Sequence, residues 1–165
     1  IDSLECIRIT GVHMLSRLSF ILSFLFAVLI VHPAVAFEEI NTGYFDATAL
    51  QGYDSTGYFS QSRPVEGDKT FSIKWKGAEW RFADAKSRDL FAANPEDYAP
   101  QYGGYCSNQM SLGNLSDIDP GVWLIHEGKL YFFGHKEGKD RWQKTGIAAR
   151  IEDADRHWKE YLARK

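Results

Sequence analysis

The stretch Phe71-Ser-Ile-Lys-Trp-Lys-Gly-Ala-Glu-Trp-Arg-Phe82 decides the fold class of this chain. Apolar and polar residues alternate at both ends of the stretch, on either side of a loop that contains Gly77. Alternation with a period of two around such a loop predicts an antiparallel hairpin with one buried face. We therefore expect a two-stranded sheet here, with its turn in Lys76–Glu79.

Helix signals follow this hairpin directly. Asp84 stands where an N-cap belongs, and Asn94-Pro95 should stop the helix, because the residue before a proline is forced out of helical space. Pro95 can itself open a second short helix. Tyr98 and Tyr102 are four residues apart, so we expect them to share a face of that second helix.

A second hairpin is predicted from Val122 to Phe133, with its turn at Glu127-Gly128, a pair that favours positive φ. C-terminal helices follow, with Asp153 as the expected N-cap of the last one. Residues 41–67 carry turn signals, and we expect them to wrap the core. The sequence therefore predicts an α+β fold of two antiparallel β-hairpins with short packed helices, in a single compact domain without a strong fixed-period repeat.

The first 36 residues are predicted to lie outside this domain. Met14 and Arg17 precede an apolar run of fourteen residues (18–31), and Ala34-Val-Ala36 follows it. This is the layout of a secretory signal peptide cleaved after Ala36, although an uncleaved N-terminal anchor is the alternative. We expect Met14 to be the true start and residues 37–165 to form a periplasmic or secreted protein, without stable membrane insertion.

Composition restricts the classes of function. The chain of 165 residues has 19 basic and 22 acidic side chains and a formal net charge of −3. Proteins that bind nucleic acids usually have an excess of basic side chains, which replace the counterions of the phosphates. This chain has no such excess, so no nucleic-acid partner is expected. The length suits one domain, which we expect to be a monomer. Of the two cysteines, Cys6 lies before the predicted cleavage site, so Cys106 is the single thiol of the exported chain.

Six short runs carry a family resemblance: Ala49-Leu-Gln-Gly-Tyr-Asp54, Tyr58-Phe59, Trp80-Arg-Phe82, Phe91-Ala-Ala-Asn-Pro-Glu-Asp-Tyr98, Ala99-Pro-Gln-Tyr-Gly-Gly-Tyr-Cys106 and Gly128-Lys-Leu-Tyr131. Together they resemble the YHS domain family over most of residues 37–165, with a core motif at about 49–110. The last two runs are similar to its stand-alone exported members in particular.

The resemblance implies two kinds of chemistry. Shorter YHS modules are thought to bind metal, such as copper, through three cysteines, but those positions fall here on Gly57, Ala83 and Ser87, which offer no soft-metal donor. Stand-alone members are associated with cysteine or selenocysteine at the position of Cys106. The resemblance therefore implies thiol-based redox chemistry at Cys106, with an external thiol reductant as partner. Metal handling through a new ligand set around Cys106, with a metal donor as partner, is the rival role.

The residues around Cys106 leave several roles open. His126 or His135 is the candidate base for a reactive thiol. The alternative is that neither is functional, with His126 an ordinary strand residue beside a turn and His135 a solvated loop residue. Met110 stands four residues after Cys106, so on a helix the two sulfurs would share one face and suit Cu(I). The alternative for Met110 is core filling.

A non-catalytic binding module is the other function that fits the sequence. In that case an aromatic pocket holds a small ligand or partner, and Cys106 is a buried packing residue. Tyr53, Tyr58, Tyr102 and Tyr105 are candidates to line such a pocket, or else structural core residues. Whether the chain is an enzyme stays open, because the sequence contains no Cys-x-x-Cys pair, Ser-His-Asp spacing, phosphate-binding glycine loop or zinc signature.

Overall fold

Two β-hairpins form the frame of the protein. In the computed structural model, which describes residues 38–42 and 46–164, β1 (Asp68–Trp75) pairs antiparallel with β2 (Ala78–Phe82). In the same way β3 (Asp119–His126) pairs antiparallel with β4 (Lys129–Phe133). Each hairpin is a separate two-stranded sheet. Both predicted hairpins, and with them the α+β class, are confirmed.

Short helices pack around the hairpins. The six helices of the described residues are α1 (Ser55–Ser60), α2 (Ala85–Ala93), α3 (Pro95–Tyr98), α4 (Ser107–Met110), α5 (Lys136–Lys144) and α6 (Ile147–Leu162). Two 3-10 segments, Leu50–Gly52 and Gln101–Gly104, precede α1 and α4. None of the helices described is long and apolar enough to cross a bilayer. The predicted signal segment, residues 1–36, lies outside the described residues.

Both hairpin turns have two residues in the left-handed region. Lys76 and Gly77 have φ values of 48° and 82°, and Glu127 and Gly128 have 49° and 74°. Two consecutive positive φ angles are typical of the turns whose twist matches that of the flanking strands. The predicted turn at Glu127-Gly128 is confirmed, whereas the first turn is shorter than the predicted loop because Ala78 already pairs with Trp75.

The helix signals after the first hairpin are also confirmed. Asp84 caps α2, since its carboxylate accepts a hydrogen bond from the Ser87 N–H at 2.7 Å. Asn94 ends α2, and Pro95 opens α3. Residues 41–67 are expected to wrap the core, and the described part of this stretch also contains α1.

Two helix predictions were wrong. Asp153 is not an N-cap but lies inside α6, where it pairs with Arg156 at 2.7 Å. The helix begins earlier because Gly146, with a φ of 95°, is the break in the backbone. Tyr102 does not share a helix with Tyr98, because the residue before Pro100 is extended and α3 ends there.

The backbone of the first half is repeated in the second half. The strand pairs Asp68↔Phe82 and Asp119↔Phe133 correspond at a shift of 51 positions, and both registers shift directly after these pairs. Helices α2 and α5 each have nine residues and begin at the same distance after their hairpins. The sequence predicted no repeat because few side chains are identical at this shift, so only the backbone reveals the duplication.

Aromatic side chains fill equivalent core positions in the two halves. These core residues are Trp80, Phe82 and Phe91 in the first half, and Tyr131, Phe133 and Trp142 in the second. In each half the helix ring contacts both strand rings, with centroid distances of 5.0 and 5.1 Å in the first half. The corresponding distances in the second half are 6.1 and 5.7 Å. Each half therefore contributes its own aromatic layer to the core.

A buried carboxylate joins α1 to the end of the first hairpin. Asp54 is fully buried, and its Oδ1 accepts hydrogen bonds from the N–H and the hydroxyl of Thr56 at 2.8 and 2.7 Å. Its Oδ2 accepts a third hydrogen bond, from the Ala83 N–H at 3.0 Å. Three donors compensate the burial of this group, which would be costly if it were left unpaired.

We expect the Asp54→Ala substitution to lower the free energy of unfolding by about 3 kcal/mol or more, because each buried donor left without an acceptor costs about 1–3 kcal/mol. Asp54→Asn should cost less, since its amide oxygen keeps one acceptor. Urea unfolding followed by tryptophan fluorescence measures both changes. The control is Asp89→Ala, which removes an exposed carboxylate; an equal loss of stability in Asp89→Ala and Asp54→Ala would contradict this role for Asp54.

Candidate functional site

Cys106 occupies the place in the second half that Asp54 occupies in the first. Each follows a run of three left-handed residues and one extended residue, and each directly precedes a helix. The N–H of Asp54 donates to the Val65 carbonyl at 2.8 Å, and the N–H of Cys106 donates to the Ser116 carbonyl at 2.9 Å. The two positions are therefore equivalent in the duplicated backbone. They are 52 rather than 51 positions apart because the first half has one more residue between Asp54 and Val65 than the second half has between Cys106 and Ser116.

The side chains at these two positions make equivalent contacts. The Gly134 N–H donates to the Cys106 Sγ at 3.3 Å, as the Ala83 N–H donates to the Asp54 carboxylate. Cys106 is 3% exposed. Unlike Asp54, its side chain accepts no hydrogen bond from its own helix. The structure thus places the predicted thiol in a buried joint between a helix start and the end of a hairpin.

The other predicted site residues lie at separate places in the fold, and among the described residues none of their side chains is hydrogen-bonded to the Cys106 sulfur. Met110 is fully buried in the core, one turn along α4 from Cys106. His126 ends β3 and is half-buried, with its Nε2 4.0 Å from the Glu127 carboxylate. His135 caps α5, its Nδ1 accepting from the Gly138 N–H at 3.1 Å. The catalytic and metal roles of these residues stay predictions.

Three buried polar atoms in this region have no hydrogen-bond partner among the described residues: Ser107 Oγ, Asn108 Oδ1 and Trp142 Nε1. Ser55 Oγ, in the equivalent place after Asp54, is also without one. The unpaired serine is therefore a property of the repeated backbone. The Asn108 amide nitrogen lies close to the cap of α5. A Cβ placed on Gly138 would be 3.7 Å from this nitrogen and 3.3 Å from the ring of His135, the cap residue.

The residues present do not fit the copper site that the resemblance implies. A Cβ at position 57 would come within 2.7 Å of the Val65 side chain, so a cysteine would not fit there without a shift. Within the described part of the chain, no group of three or more His, Cys, Asp or Glu side chains is placed to hold a metal ion. The sulfurs of Cys106 and Met110 belong to buried side chains. We therefore derive no metal chemistry from this site.

A cavity of about 160 Å³ is lined in part by Gly103 of the Gly103-Gly104 turn. Trp75, Tyr102 and Trp158 supply aromatic surface to its lining, and Glu39, Lys76 and Glu96 supply charge. These residues come from the tip of the first hairpin, α3, the second 3-10 segment, α6 and the segment 38–42. We call this space the aromatic cavity.

The Lys76 ammonium lies between two carboxylates at the edge of the aromatic cavity. Its Nζ is 3.0 Å from Glu39 Oε1 and 3.1 Å from Glu96 Oε1, and it stands 4.6 Å from the centroid of the Trp75 ring. Burial alone lowers the pKa of Lys76, but hydrogen bonds to Glu39 and Glu96 raise this pKa above its ordinary value. The group is therefore a cation at neutral pH.

Tyrosines on both sides of the turn act as neutral hydrogen-bond donors. The Tyr102 hydroxyl donates to Asp155 Oδ1 at 2.9 Å, and burial together with that carboxylate holds the pKa of Tyr102 far above its ordinary value. The Tyr105 hydroxyl donates to the Glu38 carbonyl at 3.0 Å, and burial raises the pKa of Tyr105 to about 12. Of the four tyrosines predicted to line a pocket, Tyr102 lines the aromatic cavity.

The segment 38–42 is held against the turn by backbone contacts. The Asn41 N–H donates to the Gly103 carbonyl at 2.8 Å, and the Asn41 side-chain amide donates to the Gly104 carbonyl at 3.2 Å. Gly103 has a φ of 60°, and a Cβ there would overlap the Glu39 carbonyl oxygen. Glycine is therefore required at position 103 so that the backbone of Glu39 can approach the turn closely. No local pattern in the sequence marked Glu39, Lys76 and Glu96 as parts of one site, because they lie far apart along the chain.

Comparison with known proteins leaves the family of the chain unassigned. No protein-family model matches it, and no solved structure matches it. The chain is similar to a protein described as a probable dipeptidyl-aminopeptidase B from Phaeosphaeria nodorum, with 30% identity over 92 residues. This match covers 56% of the chain but only 10% of that protein. A match to a tenth of a longer protein does not transfer its activity.

We expect Gly103→Ala to release the segment 38–42, because the new Cβ overlaps Glu39 and a left-handed alanine costs about 1–2 kcal/mol. Limited proteolysis should cut this segment faster, and the free energy of unfolding should fall. The matched control is Gly77→Ala, whose φ is 82° but whose Cβ would meet nothing within 4 Å. Equal effects of the two substitutions on proteolysis and stability would show that the contact with Glu39 contributes nothing.

Proposed function

We propose that the chain is an exported binding module of the stand-alone YHS type and that the aromatic cavity is its ligand site. One observation carries the proposal: three aromatic and three charged side chains from distant parts of the chain meet at one cavity. Concave sites that combine aromatic walls with a few polar groups are the usual form of small-molecule sites. The proposal includes no catalytic step.

The size of the aromatic cavity restricts the ligand. A volume of about 160 Å³ holds several waters or a small organic molecule, since a water in the liquid takes about 30 Å³. Sites for drug-sized ligands are larger, at about 300–1,000 Å³. The proposed ligand is therefore a metabolite-sized molecule with few non-hydrogen atoms.

Cys106 has a structural role in this proposal. The equivalent position in the first half holds Asp54, whose side chain joins α1 to the residue before the α2 cap. Cys106 makes the corresponding bond to Gly134 with its sulfur and is almost completely buried. A thiol that replaces a carboxylate in a structural joint needs no chemistry to explain its presence.

Binding at the aromatic cavity can be observed directly on its indoles. In a screen of small organic fragments against the full-length chain, we expect a subset to shift the NMR signals of the Trp75 and Trp158 indole N–H groups. The signal of Trp142, which is buried in the second half of the core, serves as the internal control. Trp158→Ala should weaken binding of the same fragments about tenfold, since one aromatic contact contributes roughly 1–2 kcal/mol. If none of the fragments shifts the indole N–H signals of Trp75 and Trp158, the proposed function is contradicted.

A thiol-based redox role at Cys106 is the second candidate, and the Gly134 N–H bond to the sulfur favours it. A backbone donor stabilises negative charge on the atom that it contacts. In this role a peroxide oxidises the thiolate to the sulfenic acid and is itself reduced, and external thiols then restore the cysteine through a mixed disulfide. Burial opposes this role, because the peroxide must reach the sulfur.

Thiol labelling separates the structural from the redox role. The experiment uses a Cys6→Ser background, in which Cys106 is the single thiol. If Cys106 is structural, a thiol reagent should label the native protein more slowly than the urea-unfolded protein, on the order of a hundredfold or more. The reason is that the reagent must wait for local opening of the native protein. Labelling of the native protein at the rate of the unfolded chain, together with sulfenic acid formation in peroxide, would favour the redox role instead.

A further inference from the structure

We propose that the aromatic cavity binds a small organic ammonium ion, and that the Lys76 side chain occupies the ammonium position in the free protein. The inference rests on the proposed binding function and adds the chemical class of the ligand to it. It depends on the arrangement of Glu39, Glu96 and Trp75 around one cation.

The surroundings of the Lys76 ammonium are those of an ammonium recognition site. Two carboxylates contact it, from Glu39 at 3.0 Å and from Glu96 at 3.1 Å. The face of Trp75 lies 4.6 Å away, within the range in which an indole attracts a cation. Carboxylates and an aromatic face together select a positive charge with an adjacent apolar body.

Lys76 is able to leave this position. It is the first residue of the hairpin turn, and its side chain is 36% exposed, so the ammonium can swing into water without disturbing the strands. Ion pairs at this degree of exposure are weak. When Lys76 moves out, the carboxylates of Glu39 and Glu96 remain at the mouth of the cavity, where the ammonium group of a ligand can contact them.

The apolar part of a ligand would lie deeper in the same cavity. Tyr102 and Trp158 line it together with Trp75, and the aliphatic side chain of Ile40 completes this surface. A four-carbon chain attached to an ammonium group fits a volume of about 160 Å³. Charge is therefore selected at the mouth and apolar contact is available inside.

The duplicated backbone supplies an internal comparison. The second hairpin turn has the same positive φ angles as the first, but the counterparts of Trp75 and Lys76 are His126 and Glu127. The turn conformation alone therefore does not account for the contact between the Lys76 ammonium and the Trp75 ring. It occurs at the hairpin tip that borders the cavity.

Three probes of matched size test the inference on the full-length chain: n-butylammonium, n-butanol and butyrate. We expect n-butylammonium to bind more tightly than the other two, as measured by the shifts of the Trp75 and Trp158 indole N–H signals. Lys76→Met should raise the affinity for n-butylammonium about tenfold, because a tethered competitor at millimolar effective concentration is removed. Lys76→Gln is the second variant, and the matched control is Lys74→Met, which removes an exposed lysine of the adjoining strand β1.

Glu96→Gln in the Lys76→Met background should weaken n-butylammonium binding about threefold to fivefold, as expected for a partly exposed ion pair. The outcomes separate the inference from the function on which it rests. Equal binding of all three probes, or no gain in Lys76→Met and Lys76→Gln, would overturn the ammonium site and leave a binding module without charge selection. Failure of every probe and every fragment to shift the cavity indoles would overturn both.

Discussion

The fold depends on one kind of hydrogen bond, made once in each half. In each half, the side chain directly before a short helix accepts a hydrogen bond from a backbone N–H. The donor is the residue directly before the N-cap of the nine-residue helix that follows the hairpin. Asp54 makes this bond to Ala83, and Cys106 makes it to Gly134. Each bond fixes a helix start to the exit of a hairpin, so the aromatic rings of the strand and the following helix meet.

The duplicated frame shows which side chains are structural and which have diverged. The carboxylate of Asp84 and the imidazole of His135 cap equivalent helices, so His135 needs no catalytic role to account for its position. Cys106 makes a contact equivalent to that of its counterpart Asp54. The hairpin tips differ instead, and the first tip, with Trp75 and Lys76, borders the aromatic cavity.

The aromatic cavity depends on the left-handed turn at Tyr102-Gly103-Gly104. Three consecutive positive φ angles turn the chain sharply, and the missing Cβ of Gly103 admits the backbone of Glu39. Glu39 then reaches Lys76, which also contacts Glu96. A strained backbone that persists at such a place is supported by its surroundings, as is common where a protein binds a ligand. The charged edge of the cavity is therefore a consequence of the turn.

Local signals in the sequence determined both hairpins, the turn at Glu127-Gly128, the cap at Asp84 and the helix break at Pro95, because alternation, capping and proline geometry act within a few residues. Only the tertiary structure decided that Cys106 lies in a buried joint equivalent to that of Asp54, and that distant charges meet beside Trp75. Such pairings join residues tens of positions apart, and they arise from packing of the whole chain, which no local pattern encodes.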